Sequence, residues 1–188
     1  MTTYCDYCIS HPEDIFNKTY HDTQYGFPLK DDNLLFERLI LEINQAGLSW
    51  ITILRKADDF RKAYHSFNID KVARYGEKDV DRLLADVGII RNRLKVNAAI
   101  ENAKRIQSLR KEFGSFKGWL DANHLLTKDE WTKLFKKTFV FTGGEIVNEF
   151  LMSTGYLQGA HDENCLVYKK VASLRPVWMM NKWSIIHS

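Results

Sequence analysis

The spacing of apolar residues constrains the fold of this chain more than any other feature of its sequence. Between residues 31 and 46, Phe36, Leu39, Ile40 and Ile43 recur at the i, i+3, i+4, i+7 spacing of one helix face. The same spacing recurs over 50–57, 80–87, 96–106 and 146–151. No clear strand or hairpin alternation competes with it, and the chain contains only three prolines. The sequence therefore predicts an all-α fold.

Residues that favour helix ends support these boundaries. Asp31 or Asp32 can cap the first of these helices, and Gly47 stands where a left-handed C-terminal cap is expected. Ser49 is placed to cap the next helix. Thr127 and Glu130 have the spacing of a capping box, which predicts that a further helix begins there.

The length and the net charge of the chain limit the classes of protein to which it can belong. The 188 residues are enough for one domain, or for two lobes sharing a core, and we interpret 1–188 as a single domain. No apolar run approaches the roughly 20 residues that a membrane-spanning helix needs, and the first residues lack the pattern of a signal peptide. We therefore expect a cytoplasmic protein with no membrane partner. The net charge of +3 is compatible with a nucleic-acid binder but does not identify one.

Cysteine and histidine residues cluster near both ends of the chain. Three cysteines are an odd number, which argues against a disulfide framework and favours thiols or metal ligands. Cys5, Cys8 and His21 lie near the N-terminus, while His161 and Cys165 have the spacing of one face of a helical turn. Two ligands from each end would give Zn²⁺ a closed, structural tetrahedron. The alternatives are unrelated surface side chains, or binding by Cys5 and Cys8 as a pair.

A turn rich in basic residues follows a helix that we expect to end at Gly88. The segment 88–95 reads Gly-Ile-Ile-Arg-Asn-Arg-Leu-Lys, and a long helix is expected from about 92 to 112. This pattern is typical of a helix-hairpin-helix, in which turn N–H groups and the next helix N-terminus receive a phosphate oxygen. Arg91, Arg93 and Lys95 would add attraction for the DNA backbone. The alternative is an ordinary helical hairpin with a solvated basic face.

Glu42 interrupts a segment that is otherwise apolar on both sides. Trp50 follows it closely, and Tyr20 and Tyr25 come not far before. A carboxylate at this position is either exposed on an amphipathic helix or buried at a cost that hydrogen bonds must offset. The spacing alone leaves both possibilities open.

The order of these motifs resembles 3-methyladenine DNA glycosylase type I. The matching blocks are Tyr20 to Gly26, Leu41 to Trp50, Gly88 to Arg93, and the His161/Cys165 pair. The resemblance covers about residues 5–110 and resumes at about 139–165, and the block ending at Trp50 is its most specific part. It implies an all-α fold with a helix-hairpin-helix at about 78–108. It also implies a zinc site that joins segments 5–21 and 161–165.

The same resemblance implies roles for individual residues. The implied ligands of a structural Zn²⁺ are Cys5, His21, His161 and Cys165, which leaves Cys8 outside the set. Glu42 matches the carboxylate that contacts the base. The aromatic residues of the base pocket would be Tyr20 and Trp50, with Tyr7 and Tyr25 at positions where the family usually has Trp. The DNA backbone would be held by Gly88, Ile89, Ile90, Arg91 and Arg93.

The implied function is DNA base-excision repair. A monofunctional, monomeric glycosylase of this kind releases 3-methyladenine from alkylated double-stranded DNA and leaves an abasic site. No Asp lies between Gly88 and Trp119 to assist attack on the sugar, and Asp121 is the first candidate. A cationic base is already a good leaving group, so flipping, stacking and electrostatics can suffice. Departures at Tyr7, Tyr25 and Gly143–Gly144 keep two alternatives open, a different damaged base or a DNA-binding protein without catalysis.

Overall fold

The computed structural model describes residues 3–180, and its regular elements are all helical. This confirms the all-α prediction. The chain divides into a central unit, Lys30–Val147, and a terminal unit made of Met1–Leu29 and Asn148–Ser188. The interpretation of 1–188 as a single functional domain stays a prediction. Within residues 3–180, no helix combines the length and the apolar character that a membrane crossing requires.

The central unit contains seven helices within its described residues. They are α3 Asp32–Gln45, α4 Trp50–Ala63, α5 Ile69–Val72, α6 Glu77–Ala85, α7 Arg93–Phe113, α8 Phe116–Ala122 and α9 Lys128–Thr138. The next helix, α10 Gly144–Ser153, begins in the central unit and ends in the terminal unit.

Helix α3 is the core of the central unit. It packs against α4, α5, α7 and α8, and every residue from Leu35 to Asn44 is buried. From Leu35 to Asn44 the helix has no solvent face, so the polar side chains of Glu37, Arg38 and Glu42 are enclosed as well. The structure therefore resolves the alternative left open by the sequence, because Glu42 is buried with 3% of its surface exposed.

Two consecutive aspartates at the start of α3 cap two different helices. The Asp31 carboxylate accepts hydrogen bonds from the Leu34 and Asn33 backbone N–H groups and is the cap of α3. The Asp32 carboxylate instead accepts bonds from the backbone N–H groups of Phe116 and Lys117, at 2.9 and 3.0 Å. It thereby ties the start of α8 to the start of α3.

The other predicted helix ends are mostly confirmed. Gly47 has a φ of +83°, the left-handed conformation expected after α3. Thr127 and Glu130 form a capping box at the start of α9. Ser49 occupies the cap position of α4, but its hydroxyl bonds the Thr52 hydroxyl rather than the backbone.

The terminal unit brings together the beginning and the end of the described chain. Its elements are α1 Tyr4–Ser10, α2 Ile15–Thr23, the C-terminal part of α10, α11 Leu166–Ser173 and a 3-10 turn, Val177–Met179. Helix α11 lies in the apolar tail, 166–188, where the sequence showed no clear pattern. The apolar residues Trp183, Ile185 and Ile186 of this tail lie outside the described residues.

Candidate active site and metal centre

Four side chains of the terminal unit converge on one buried point. They are Cys5, His21, His161 and Cys165, and their potential ligand atoms all lie within 4.8 Å of one another. Cys5 comes from α1, His21 from α2, and the other two from the segment before α11. The structure therefore gathers the four residues that the resemblance implied, and Cys8 lies outside the cluster. Cys8 is instead completely buried, with its Sγ 3.7 Å from the Asn17 carbonyl oxygen.

Four of the six distances between the potential ligand atoms fit a tetrahedral zinc site. The distance between His21 Nε2 and His161 Nδ1 is 3.3 Å, and Cys5 Sγ lies 3.3 and 3.7 Å from these two atoms. Cys165 Sγ lies 3.7 Å from His21 Nε2. Zinc bonds of about 2.0–2.1 Å to nitrogen and about 2.3 Å to sulfur give a tetrahedron with edges of roughly 3.3–3.8 Å. Two imidazoles and two thiols are also a donor set that zinc prefers.

Hydrogen bonds around the cluster orient both imidazole rings. His21 Nδ1 lies 2.7 Å from the Asp22 carboxylate, and His161 Nε2 lies 2.8 Å from the Tyr25 carbonyl oxygen. Because these acceptors hold the N–H of each ring, the opposite nitrogen is left to face the cluster. Burial opposes ionisation of Asp22, but hydrogen bonds from Lys18 and His21 hold the pKa of its carboxyl below the usual value.

Burial shifts the protonation of the cluster toward its neutral forms. It raises the pKa of the Cys5 thiol to about 12 and lowers the pKa of His161. A neutral imidazole is the form that binds metal, whereas a thiol must lose its proton to do so. Metal binding at this cluster would therefore release protons.

The His161 and Cys165 pair reaches the cluster by a different route from the one predicted. These residues do not lie on a helical turn, because α11 begins at Leu166 and Cys165 is its cap residue. A turn closed by the Cys165 N–H and the Asp162 carbonyl oxygen brings them together. Gly26 allows this segment to approach, since a Cβ there would lie only 2.8 Å from the Ala160 Cβ.

The predicted base-contacting residues fall in both units. Glu42 and Trp50 belong to the central unit, where Glu42 is buried in α3 and half-buried Trp50 is the first residue of α4. Tyr20, Tyr25 and Tyr7 belong to the terminal unit. The ring centroids of Tyr20 and Tyr25 are 5.5 Å apart.

Tyr7 and Tyr25 occupy the positions at which the sequence departs from the family. The Tyr7 ring stacks on His11 with centroids 4.4 Å apart, and its hydroxyl donates to Asp14 at 2.9 Å. The Tyr25 hydroxyl donates to the Glu149 carboxylate at 3.1 Å. Both tyrosines therefore use the phenolic oxygen, which the usual Trp lacks, in a hydrogen bond to an acidic side chain.

The turn between α6 and α7 is short and partly buried. Helix α6 ends at Ala85, earlier than the predicted end at Gly88, and α7 begins at Arg93, as predicted. Ile89 is buried. No hydrogen bond within residues 3–180 involves the amide N–H of Ile90 or Arg91. Two N–H donors are therefore left at the point where the sequence predicts phosphate contact.

Gly88 lies in a tightly packed part of the turn. Its φ is not left-handed. A Cβ at this position would instead lie 3.0 Å from both the Asp59 Cβ and Asp86 Oδ1. A side chain at this position would therefore require Asp59 or Asp86 to shift by a few tenths of an ångström, because the turn passes close to α4.

Arg91 and Arg93 differ in their surroundings. Both are exposed, but the Arg93 guanidinium forms ion pairs with Glu77 at 2.6 Å and Asp81 at 3.4 Å. These carboxylates raise the pKa of Arg93 and neutralise the field that it would present to a phosphate. No ion pair is recorded for Arg91 within the described part of the chain.

Comparison with known proteins identifies the family. A model of the methyladenine glycosylase family matches residues 10–132. The DNA-3-methyladenine glycosylase 1 of Escherichia coli is 36% identical over 168 residues, covering 79% of this chain and 89% of that protein. The DNA-3-methyladenine glycosylase of Haemophilus influenzae is 34% identical over 184 residues, covering 88% and 97%. The chain belongs to the methyladenine glycosylase family.

The fold of this methyladenine glycosylase agrees with its sequence relationship. The 3-methyladenine DNA glycosylase I of Staphylococcus aureus matches it with a TM-score of 0.79 and 30% identity, covering 88% of this chain and 98% of that one. The structural similarity therefore extends well beyond residues 10–132, which the family model matches.

The structure of this methyladenine glycosylase also shows polar residues that sequence reasoning missed. Asp22 orients a cluster histidine, and its position directly after His21 was the one signal that could have revealed it. Lys56 was missed as well, and Lys95, which the sequence assigned to the DNA backbone, instead points inward; both lysines bond backbone carbonyls that are distant in sequence. No local pattern identifies such partners, because they are far apart in sequence.

Proposed function

We propose that this protein is a DNA-3-methyladenine glycosylase that hydrolyses the N-glycosidic bond of 3-methyladenine in alkylated double-stranded DNA. The observation that carries the proposal is the buried carboxylate of Glu42, placed shortly before Trp50 in the block that most resembles the family. A carboxylate enclosed in a helix core is costly to bury, and hydrogen bonds or an opposite charge must offset that cost. A cationic base would be a favourable partner for it.

The proposed reaction needs little acid–base assistance. The target nucleotide is first rotated out of the duplex. The bond between C1′ and the base nitrogen then breaks, its electron pair neutralises the cationic base, and neutral 3-methyladenine leaves. Water adds to C1′ and gives a proton to solvent, which leaves an abasic site. Glu42 accepts hydrogen bonds from the base edge, and its negative charge favours the methylated cation over neutral adenine.

Aromatic stacking completes the proposed recognition of the base. An electron-rich ring face attracts a cation, and Trp is the strongest of the aromatic side chains in this respect. We assign this role to Trp50, with Tyr20, Tyr25 and Tyr7 as further stacking residues on the basis of the family resemblance. Because one face of Tyr7 already stacks on His11, only its other face is available.

We propose that the turn between α6 and α7 binds the DNA backbone without reading sequence. The N–H groups of Ile90 and Arg91 supply hydrogen bonds for a phosphate, the Arg91 side chain supplies charge, and Gly88 and Ile89 fix the turn. Arg93 contributes less, since two carboxylates already pair with it.

Replacing Arg91 by alanine should weaken binding to undamaged duplex DNA by about three- to tenfold on every sequence, and lower the salt slope by about one. Arg93→Ala is the matched comparison and should have a smaller effect. Fluorescence anisotropy over a salt series measures both. A change in sequence preference at constant general affinity would show that the turn is not a phosphate clamp.

We further propose that the Cys5, His21, His161 and Cys165 cluster holds one structural Zn²⁺ per chain. The fit of the distances and the orientation of both imidazoles support this assignment. With four protein ligands the ion has no open position, so it contributes stability rather than chemistry. We also propose that the protein acts as a monomer in the cytoplasm.

Release of free bases from methylated duplex DNA tests the proposed function. The purified protein is incubated with DNA treated with a methylating agent, and the released bases are separated by chromatography. We expect 3-methyladenine in the soluble fraction and abasic sites in the DNA. DNA binding without any released base would instead favour a binding protein that lacks catalysis.

A further inference from the structure

Lys95 is an unusual residue for the first turn of a helix next to a DNA-binding turn, because it points inward. Only 5% of its surface is exposed. Its Nζ donates to the carbonyl oxygens of Asn44 at 2.8 Å and Ala46 at 2.7 Å. Lysine is almost never fully buried unless its charge is paired or hydrogen-bonded. This buried charge therefore has a specific partner, namely the C-terminal end of α3.

The end of a helix is a favourable place for a positive charge. The last carbonyl groups of α3 have no partner within the helix and carry the negative end of its dipole. The Lys95 ammonium meets two acceptors there. Burial lowers the pKa of Lys95, so these contacts offset a real desolvation cost.

The carbonyl groups that Lys95 binds belong to the segment that connects the proposed base-contacting residues. Asn44 lies two positions after Glu42, and Ala46 begins the turn that leads to Trp50. Two side chains of this segment bond near neighbours, since Asn44 Nδ2 donates to the Ile40 carbonyl and Gln45 Nε2 to the Leu48 carbonyl. Lys95 thus supplies a long-range hydrogen bond to this part of the chain.

A second lysine makes the reciprocal connection. Lys56 on α4 donates from its Nζ to the carbonyl oxygens of Val87 at 2.9 Å and Gly88 at 3.2 Å. These carbonyls belong to the turn between α6 and α7. The proposed phosphate-binding turn is thus held by α4, and the end of α3 is held by α7. Lys56 of α4 thus contacts the backbone of the turn between α6 and α7, and Lys95 of α7 contacts the backbone at the end of α3.

We propose that Lys95 is a positioning residue of the glycosylase, which fixes Glu42 and Trp50 relative to the turn that binds the DNA backbone. The inference rests on the proposed function, because it takes Glu42 and Trp50 as base contacts. Once the phosphate is bound, the distance from that turn to the base pocket decides whether the flipped base meets the Glu42 carboxylate. Bonds to main-chain carbonyls suit this role because they hold the backbone whatever the side chains do.

Lys95→Met tests this proposal, with Lys104→Met as the matched control on the exposed side of the same helix. Methionine keeps most of the buried apolar stem and removes the ammonium. We expect the single-turnover release of 3-methyladenine by Lys95→Met to fall by roughly 10- to 100-fold, the effect of a small misplacement of reacting groups. Affinity for undamaged duplex DNA should stay within about twofold, since the phosphate contacts remain.

Binding of the free base separates positioning from general loss of structure. Calorimetric titration with 3-methyladenine, in the absence of DNA, should show nearly unchanged binding to both Lys95→Met and Lys104→Met, because the free base is not tied to the turn, whereas a pocket that has lost its structure would bind the base weakly. Lys95→Gln, which keeps one donor, should give an intermediate release rate. If the Lys95→Met protein does not fold, the Lys95→Gln protein is used in its place.

Three results have distinct meanings. If the wild type releases no 3-methyladenine, the proposed function fails, and the role of Lys95 fails with it. If the wild type is active and a folded Lys95→Met or Lys95→Gln protein is equally active, only the role of Lys95 is overturned. A loss of DNA affinity equal to the loss of release rate would also overturn it, because Lys95 would then act on DNA binding.

Discussion

Replacing Glu42 by alanine should lower the rate of 3-methyladenine release by roughly 100-fold or more, as is typical when a preorganised electrostatic contact is removed. Binding to undamaged duplex DNA should be nearly unchanged, because Glu42 does not contact phosphate in our account. Glu42→Gln should be milder, since the amide keeps an acceptor but loses the charge. Single-turnover release measures the first effect, and anisotropy measures the second.

Glu37 provides a control on the same helix. Its carboxylate is also buried, and it pairs with the Arg61 guanidinium at 2.7 Å. Glu37→Gln should therefore lower the free energy of unfolding while leaving the release rate close to that of the wild type. If Glu37→Gln and Glu42→Gln reduce release equally, then Glu42 acts through stability rather than through the base. A folded Glu42→Gln protein with full activity would rule out the charge as a contributor.

Cys165→Ser should remove the metal and lower the melting temperature by roughly 10 °C or more, since losing a structural metal is among the largest single-residue effects. The expected cause is the loss of the one ion that holds segments from both ends of the chain. Elemental analysis should give about one zinc per wild-type chain and much less for the variant. A chelator should destabilise the wild type in the same way.

Cys8→Ser is the matched control for this prediction. Cys8 is as deeply buried as the cluster thiols but lies outside the cluster, so its substitution should leave the zinc content intact. The stabilisation by zinc should weaken as pH falls, because protons compete with the metal for the thiols and imidazoles. Loss of zinc from Cys8→Ser, or a wild type without stoichiometric zinc, would contradict the ligand assignment.

The helical class of the fold could be predicted because it depends on local periodicity. The boundaries of α7 and the capping box of α9 follow from short-range patterns, and the structure confirms both. The burial of Glu42 could not be predicted, because an amphipathic pattern describes one face of a helix and not what covers the other. Helix α3 has neighbours on several sides, and no local signal in residues 31–46 reveals them.

The candidate site shows the same limit of local sequence patterns for residues that lie far apart in the chain. The four cluster residues could be proposed because cysteine and histidine are rare and chemically distinctive. The choice of Cys5 over Cys8 needed the resemblance first and the geometry afterwards. Lys95 was interpreted as a basic residue for the DNA backbone, whereas it points inward to the end of α3. The positions of lysines in the sequence predict where positive charge lies along the chain, but not whether a lysine side chain points inward or toward solvent.

We propose that the buried carboxylate of Glu42 selects a cationic base through its negative charge. Duplexes that each carry a single 3-methyladenine, 7-methylguanine or hypoxanthine allow the wild-type release rates to be compared directly. We expect fast release of 3-methyladenine alone, with no significant release of 7-methylguanine or of hypoxanthine, which is neutral. Preferential release of hypoxanthine would contradict the electrostatic explanation, even if the protein proved to be a glycosylase.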